Sequence, residues 1–219
     1  MPPFGFGMSM PNLRNVSAAA PAPAPVTLVQ ENWVGSGSVS GRTPSPTNSG
    51  GGTWQINASG STSSYAAGQA SVDGTDGNST FRHSVALTDA NMTTIAGPAL
   101  SGGIGQALIA YARSTPGPTA DLTSYYQLYV PVGSVSLSKI VSGVETSLAS
   151  AAVDAQGLSL SFSVVGSTIT VKVNDTQVIQ VTDTAISTAG YWGYQTTVIT
   201  DENEGQVKSN VGPITIATS

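Results

Sequence analysis

Two neighbouring stretches of this chain alternate apolar and polar residues with a strict period of two. Leu158, Leu160, Phe162 and Val164 are separated by single serines, and Ile169, Val171 and Val173 by Thr170 and Lys172. Successive side chains of an extended strand point to opposite faces, so the pattern describes strands with one buried face and one hydrated face. Asn174-Asp175 follows at once, and both residue types tolerate the positive φ that a two-residue hairpin turn demands. A chain built around such a pair must place a second apolar surface over the buried face.

The rest of the chain supplies it. Strand signals recur at residues 26–34, 52–58, 63–72, 79–88, 105–113, 124–131, 134–141, 144–151, 157–165, 168–174, 177–182, 190–200 and 206–217. Tyr125–Val130 and Val135–Ile140 flank the short connection Pro131–Ser134, a second hairpin. Residues 102–112 (GGIGQALIAYA) could pass for a short helix. The alternation of Ala107, Ile109 and Tyr111 with Gln106, Leu108 and Ala110 assigns them to a strand. No segment joins a 3.6-residue period to helix caps. Many short strands separated by turns predict an all-β chain of two packed antiparallel sheets. The 219 residues suffice for one such domain, residues 26–219, plus an extended appendage, residues 1–25.

Charged residues make up 9% of the chain, against roughly 25% in ordinary soluble domains. Ser, Thr, Asn, Gln and Gly carry the polarity instead, which suits strands whose outward positions bear hydroxyls. Seven cations, never adjacent, stand against twelve anions for a net charge of -5. Tracking a phosphate backbone needs clustered Lys and Arg, so no nucleic-acid partner is expected. The same dispersion gives no attraction to an anionic membrane surface. No apolar run reaches the ~18 residues of a membrane-spanning helix. The absence of cysteine removes disulfides, thiolate metal ligands and cysteine nucleophiles.

Residues 1–25 differ from the rest. A secretory signal would place cations first and an unbroken apolar core next; here Pro2 and Pro3 come first and the first cation is Arg14. Pro and Gly exclude a helix. In an extended segment Phe4, Phe6, Met8 and Met10 would share one face, with Leu13 beyond them. These five are the candidate partner-binding residues, able to enter a groove or sheet edge of another protein. Residues 18–25 (AAAPAPAP) form a stiff spacer.

The punctuation of residues 31–54 (ENWVGSGSVSGRTPSPTNSGGGTW), followed later by Leu158–Val164, Ile169–Asp175 and Thr182–Gly193, carries a family likeness. It resembles the concanavalin A-like (laminin-G-like) modules of bacteriophage structural proteins and secreted carbohydrate-binding proteins. The resemblance covers residues 26–219 and implies a jelly-roll β-sandwich with a concave and a convex sheet and neighbouring termini. It also implies a corner at Gly41–Pro44, a strand opening at Gly52-Thr53-Trp54, a strand and turn at Leu137–Val144, and core places for Trp54 and Trp192. The sequence departs from the pattern in three places. Glu31-Asn32-Trp33 replaces an Asp-rich opening, Asn174-Asp175 replaces Asn-Gly, and Val211-Gly-Pro-Ile214 lacks the usual acid, which takes away support for a metal site.

Catalytic groups are sparse. The one histidine, His83, lies in a strand with no G-x-S-x-G elbow elsewhere, and is expected to face solvent. Glycosidases need two carboxylates across a cleft. Here nearly all the acids sit next to Gly, Asn or Thr in turns, no strand carries two inward-facing ones, and Asp201-Glu-Asn-Glu204 reads as a hairpin tip. Asp73–Asn78 departs from the calcium-loop pattern and reads as a turn. Neither catalytic residues, nor a metal site, nor a cofactor is expected. Among aromatics that could stack on a pyranose face, Tyr65, Tyr126 and Tyr191 are the candidates.

The expectation is a non-enzymatic bacteriophage virion structural protein on the virion surface. The arm would dock into a capsid or tail protein of the same virion, and an outward jelly roll would serve as decoration or fibre-like module. Homo-oligomerisation and contact with a host-surface glycan accompany this reading. The alternative is a secreted carbohydrate-binding module, and a jelly-roll glycoside hydrolase stands third.

Overall fold

The computed structural model describes residues 24–57, 62–72, 77–96, 108–201 and 205–218. Phe4, Phe6, Met8, Met10 and Leu13, and residues 73–76 of the turn expected at Asp73–Asn78, lie outside them; Gly77 and Asn78 begin a strand. In chain order the strands are β1 (Thr27–Glu31), β2 (Ser36–Ser38), β3 (Pro46–Asn48), β4 (Trp54–Ile56), β5 (Ser63–Ala66), β6 (Gln69–Val72), β7 (Gly77–His83), β8 (Ala90–Ala96) and β9 (Leu108–Thr115). Then follow β10 (Ser124–Val130), β11 (Val135–Val141), β12 (Val144–Ala151), β13 (Ser159–Val165), β14 (Thr168–Val173), β15 (Thr176–Thr182), β16 (Tyr191–Asp201), β17 (Gly205–Lys208) and β18 (Asn210–Ala217).

Ten strands form one sheet in the order β15-β14-β13-β8-β18-β6-β5-β2, with β1 on β18 and β3 on β1. Eight form the other, β12-β11-β10-β9-β16-β7-β4, with β17 on β16. Every pairing is antiparallel, and the two sheets enclose one apolar core. The all-β sandwich is as expected.

The alternating strands behave as their period requires. Leu160, Phe162 and Val164 of β13 and Ile169, Val171 and Val173 of β14 face the core. Burying each such side chain stabilises by about 1.5–3 kcal/mol. Asn174 and Asp175 take left-handed φ of 46° and 62° and join β14 to β15. The centre of one half of the core is aromatic. Trp33 lies 5.8 Å from both Trp54 and Phe81, and Phe81 stands edge-on to both indoles. Trp54 and Trp192 are fully buried, as the resemblance implied.

One central strand carried no clear signal. β8, between β13 and β18, presents Ala90, Met92, Thr94 and Ala96 to the interior. Two alanines and a threonine are too weak an apolar stripe to stand out in sequence.

Along one open side of the sandwich the edge strands β12 and β15 lie against each other. Each contains a β-bulge, an extra residue opposite one on its neighbour. Leu148 is the extra residue in β12 and Val178 the one in β15. Both pack against the core, so the bulges bring two apolar groups over a side that the sheets leave open.

Candidate functional site

Parity along the eight-stranded sheet separates a core face from an outer face. Ala110, Ala112, Tyr126, Leu128, Trp192, Tyr194, Phe81 and Trp54 point inward. The alternate positions line up in register as Ser147, Ser138, Gln127, Tyr111, Gly193, Arg82 and Gln55, one from each of β12, β11, β10, β9, β16, β7 and β4. Adjacent members of such a row are about 4.8 Å apart.

Several members are buried although they lie on the outer side. Arg82 is 0% exposed and Tyr111 3%. Residues 116–120 fold over Arg82. Its guanidinium donates to the carbonyls of Pro116 and Ala120, to Ser114 Oγ at 3.3 Å and to Asn57 Oδ1 at 2.8 Å. Burial pulls the Arg82 pKa down to about 10, while Tyr111, Tyr191 and Asp121 work in the opposite direction. A buried guanidinium is tolerated when several acceptors satisfy it, and here it fixes a loop.

Tyr111 Oη donates to Gln195 Oε1 at 2.6 Å, and Thr80 Oγ1 donates to the same oxygen at 3.2 Å. Burial drives the Tyr111 phenol pKa strongly upward, so it stays a neutral donor. Tyr125 stands edge-on to Tyr111, ring centroids 5.2 Å apart at 89°. Burial, then the Glu145 carboxylate, raise the Tyr125 pKa as well.

Opposite Tyr125, β9 has two residues, Arg113 and Ser114, where a regular ladder would have one. Arg113 takes a φ of 50° and turns its side chain to the carbonyls of Thr88, Ile186 and Gly166 and to Asp89. Ser114 accepts from Arg82 and donates to the Tyr191 carbonyl at 2.7 Å. A bulge that re-aims side chains in this way is a common device beside binding sites.

At the centre of the row stands Gly193, buried against the backbone of β7. A Cβ there would fall 2.0 Å from the Phe81 carbonyl oxygen, so no larger residue fits unless β16 and β7 move apart. The face combines fixed rings, amides and hydroxyls over a tightly packed backbone, a set that can stack on a sugar ring and hydrogen-bond its hydroxyls.

No family model matches the chain, and no curated protein matches it either. Solved structures do. The carbohydrate recognition domain of Emp47p superposes with a TM-score of 0.61 at 11% identity, covering 88% of this chain and 95% of that one. The exoplasmic/lumenal domain of VIP36 in a Ca2+/Man2-bound form gives 0.59 at 13% identity, over 88% and 87%. LamA from Z. galactanivorans, in complex with laminaritriose and laminaritetraose, gives 0.55 at 10% identity, over 88% and 99%. The fold is a concanavalin A- and galectin-like jelly roll.

The three tyrosines singled out by sequence do not come together. Tyr191 lies on the outer face, half-buried, at the end of β16 nearest Arg82. Tyr126 is a correction: it is fully buried, donates to Asp183 Oδ1 at 2.9 Å and accepts the Ile186 N–H at 3.2 Å. The outward residue of that pair is Tyr125. Gln127 and Leu128 carried the signal, since the parity that buries Leu128 also buries Tyr126.

Tyr65 belongs to the other sheet. The Arg42 guanidinium covers its ring at 3.9 Å, and Arg42 is itself paired at 2.7 Å with the buried Glu31. His83 is the second correction. It is 1% exposed, packs edge-on to Trp54 at 5.5 Å, and burial lowers its pKa to about 4. It shares parity with Phe81 and Val85, a signal that pointed inward.

The acidic tip expected at 201–204 is bracketed by the Asp201–Gly205 pair of β16 and β17. Among the described residues no three His, Cys, Asp or Glu side chains converge as metal ligands.

Proposed function

We propose that this chain is a non-enzymatic carbohydrate-binding module that holds its glycan on the outer face of the eight-stranded sheet. The observation that carries the reading is the Tyr125–Tyr111–Gln195–Arg82 assembly. A sheet face that needs only hydration has no use for a buried arginine and an immobilised pair of tyrosine rings. Building both on the solvent side costs desolvation, which is offset when the rigid surface receives a ligand. The glycan-bound solved structures that share the fold point the same way.

Hydrolysis is the weaker reading. The retaining and inverting mechanisms both need two carboxyl groups flanking the bond. No described strand of this sheet contributes two acids: β12 contributes Glu145, β16 ends at Asp201, and β4, β7, β9, β10, β11 and β17 contribute none. The bacteriophage reading draws its support from the arm's apolar ladder and the sequence resemblance. It is compatible with a glycan-binding jelly roll carried on a particle.

A glycan array followed by calorimetry on the best ligand tests the proposal. Wild-type protein is expected to bind, Tyr125→Ala to bind at least about tenfold more weakly with unchanged folding, and no reducing ends are expected to be released. Equal binding by Tyr125→Ala would move the site elsewhere, and released sugar would restore the hydrolase.

A further inference from the structure

We propose that the same face takes an extended, uncharged run of about three or more sugar units laid along β10, and not a single terminal sugar or an acidic glycan. This rests on the carbohydrate-binding reading above and deepens it.

Length comes from β10 itself. Tyr125, Gln127 and Tyr129 occupy its consecutive outward positions, with Tyr129 40% exposed and Tyr125 half-buried. Four residues of strand separate the two rings by about 14 Å. That span exceeds one pyranose, so a single sugar can stack on one ring while a chain reaches both. Gln127 lies between them with an amide able to donate and accept at once, the complement of neighbouring hydroxyls. At the Tyr129 end the half-buried Ser136 of β11 and Ile109 of β9 flank the track, while Gln127 lies between the buried Ser138 and Tyr111.

Charge comes from where the cations go. Arg82 is engaged by four acceptors beneath the loop, and Lys139 of β11 turns away to Asp183 at 2.5 Å. Neither offers a free ammonium or guanidinium to a carboxylate or sulfate on the sugar. Glu145 stands next to Tyr125 and accepts from Ser138 Oγ at 2.8 Å. An acidic chain would therefore meet a carboxylate at one end of the track.

The test is calorimetry of the full chain with neutral β-linked gluco-, manno- and galacto-oligosaccharides of one to six units, and with oligogalacturonides of matched length. Affinity for a neutral series is expected to rise about tenfold or more between one and four units and then level off. Tyr129→Ala is expected to bring the tetramer back to within about threefold of the monosaccharide, while Tyr129→Phe keeps the ring and the length dependence. Oligogalacturonides are expected to bind at least about tenfold more weakly. A monosaccharide bound as tightly as its tetramer, or a uronide bound as tightly as a neutral chain, overturns this inference and leaves the carbohydrate-binding reading standing. Failure of every glycan at every length overturns both.

Discussion

Each sheet of the sandwich presents a row of seven outward residues in register, and the two rows differ in what they do with water. On the ten-stranded sheet the row is Gln177, Lys172, Ser161, Thr93, Thr215, Gln30 and Thr47. None of these is buried, and next to them lies a shallow recess of about 220 Å³ lined in part by Asn91, Ser163 and Lys172. On the eight-stranded sheet Ser138, Tyr111, Gly193 and Arg82 of the matching row are all buried. One face is wetted; the other has been constructed, with a loop held over Arg82 and with Tyr111 and Thr80 bonded to Gln195. The same backbone architecture supports both, so the difference lies in a few side chains.

Paired substitutions can break or sharpen that contrast. The largest effect is expected at the glycines. Gly193→Ala forces β16 from β7 and should cost about 3–4 kcal/mol, lowering Tm by roughly 10 °C. Gly212→Ala on the ten-stranded sheet meets Ile95 oxygen at 3.2 Å and should cost about 1 kcal/mol or less. Calorimetric melting of the two variants decides, and equal losses would erase the contrast.

Next comes Arg82→Met, which strands four acceptors and releases the loop. It should cost about 3 kcal/mol and weaken glycan binding with it. Lys172→Met should stay within about 0.5 kcal/mol and leave binding alone.

Acid should act on one side first. His83 is neutral in the folded protein and titrates near 4 there, against 6.5 when exposed. Between those values the unfolded chain binds the extra proton, so stability is full above pH 6.5 and falls as pH drops toward 4. The loss is at most about 3 kcal/mol. A denaturant series across that window should show the slope, and His83→Gln should flatten it. Early loss of amide protection in β4 and β7 would place the weakness under the eight-stranded sheet. The smallest effect is Ser163→Ala on the wetted face, expected to change neither stability by more than about 0.5 kcal/mol nor glycan affinity.

Local pattern made most of this legible, and non-local packing made the rest invisible. β13, β14 and the Asn174-Asp175 turn from β14 into β15 were readable because period and turn chemistry agree over consecutive residues. β8 was not, because its inward positions are Ala, Met, Thr and Ala, whose burial is decided by flanking strands. The parity of Tyr125 over Tyr126 and the inward turn of His83 could both have been read from their neighbours at i±2. The burial of Arg82 and Tyr111 could not. Alternation places them outward; Arg82 is covered by a loop more than thirty residues away in sequence, and Tyr111 packs against Tyr125 and bonds to Gln195 of a distant strand. A sheet pattern tells which side a residue faces and stays silent on what later folds over it.

The bulged edges at Leu148 and Val178 bear on how many copies of this protein can share a small volume. An unbroken edge strand is a template for the next molecule's edge, and crowding rewards such templating. With an extra residue kinking each of the neighbouring borders, ladders cannot run on from copy to copy in register. On that side of the sandwich, crowded copies should stay separate folded units and not add strand to strand.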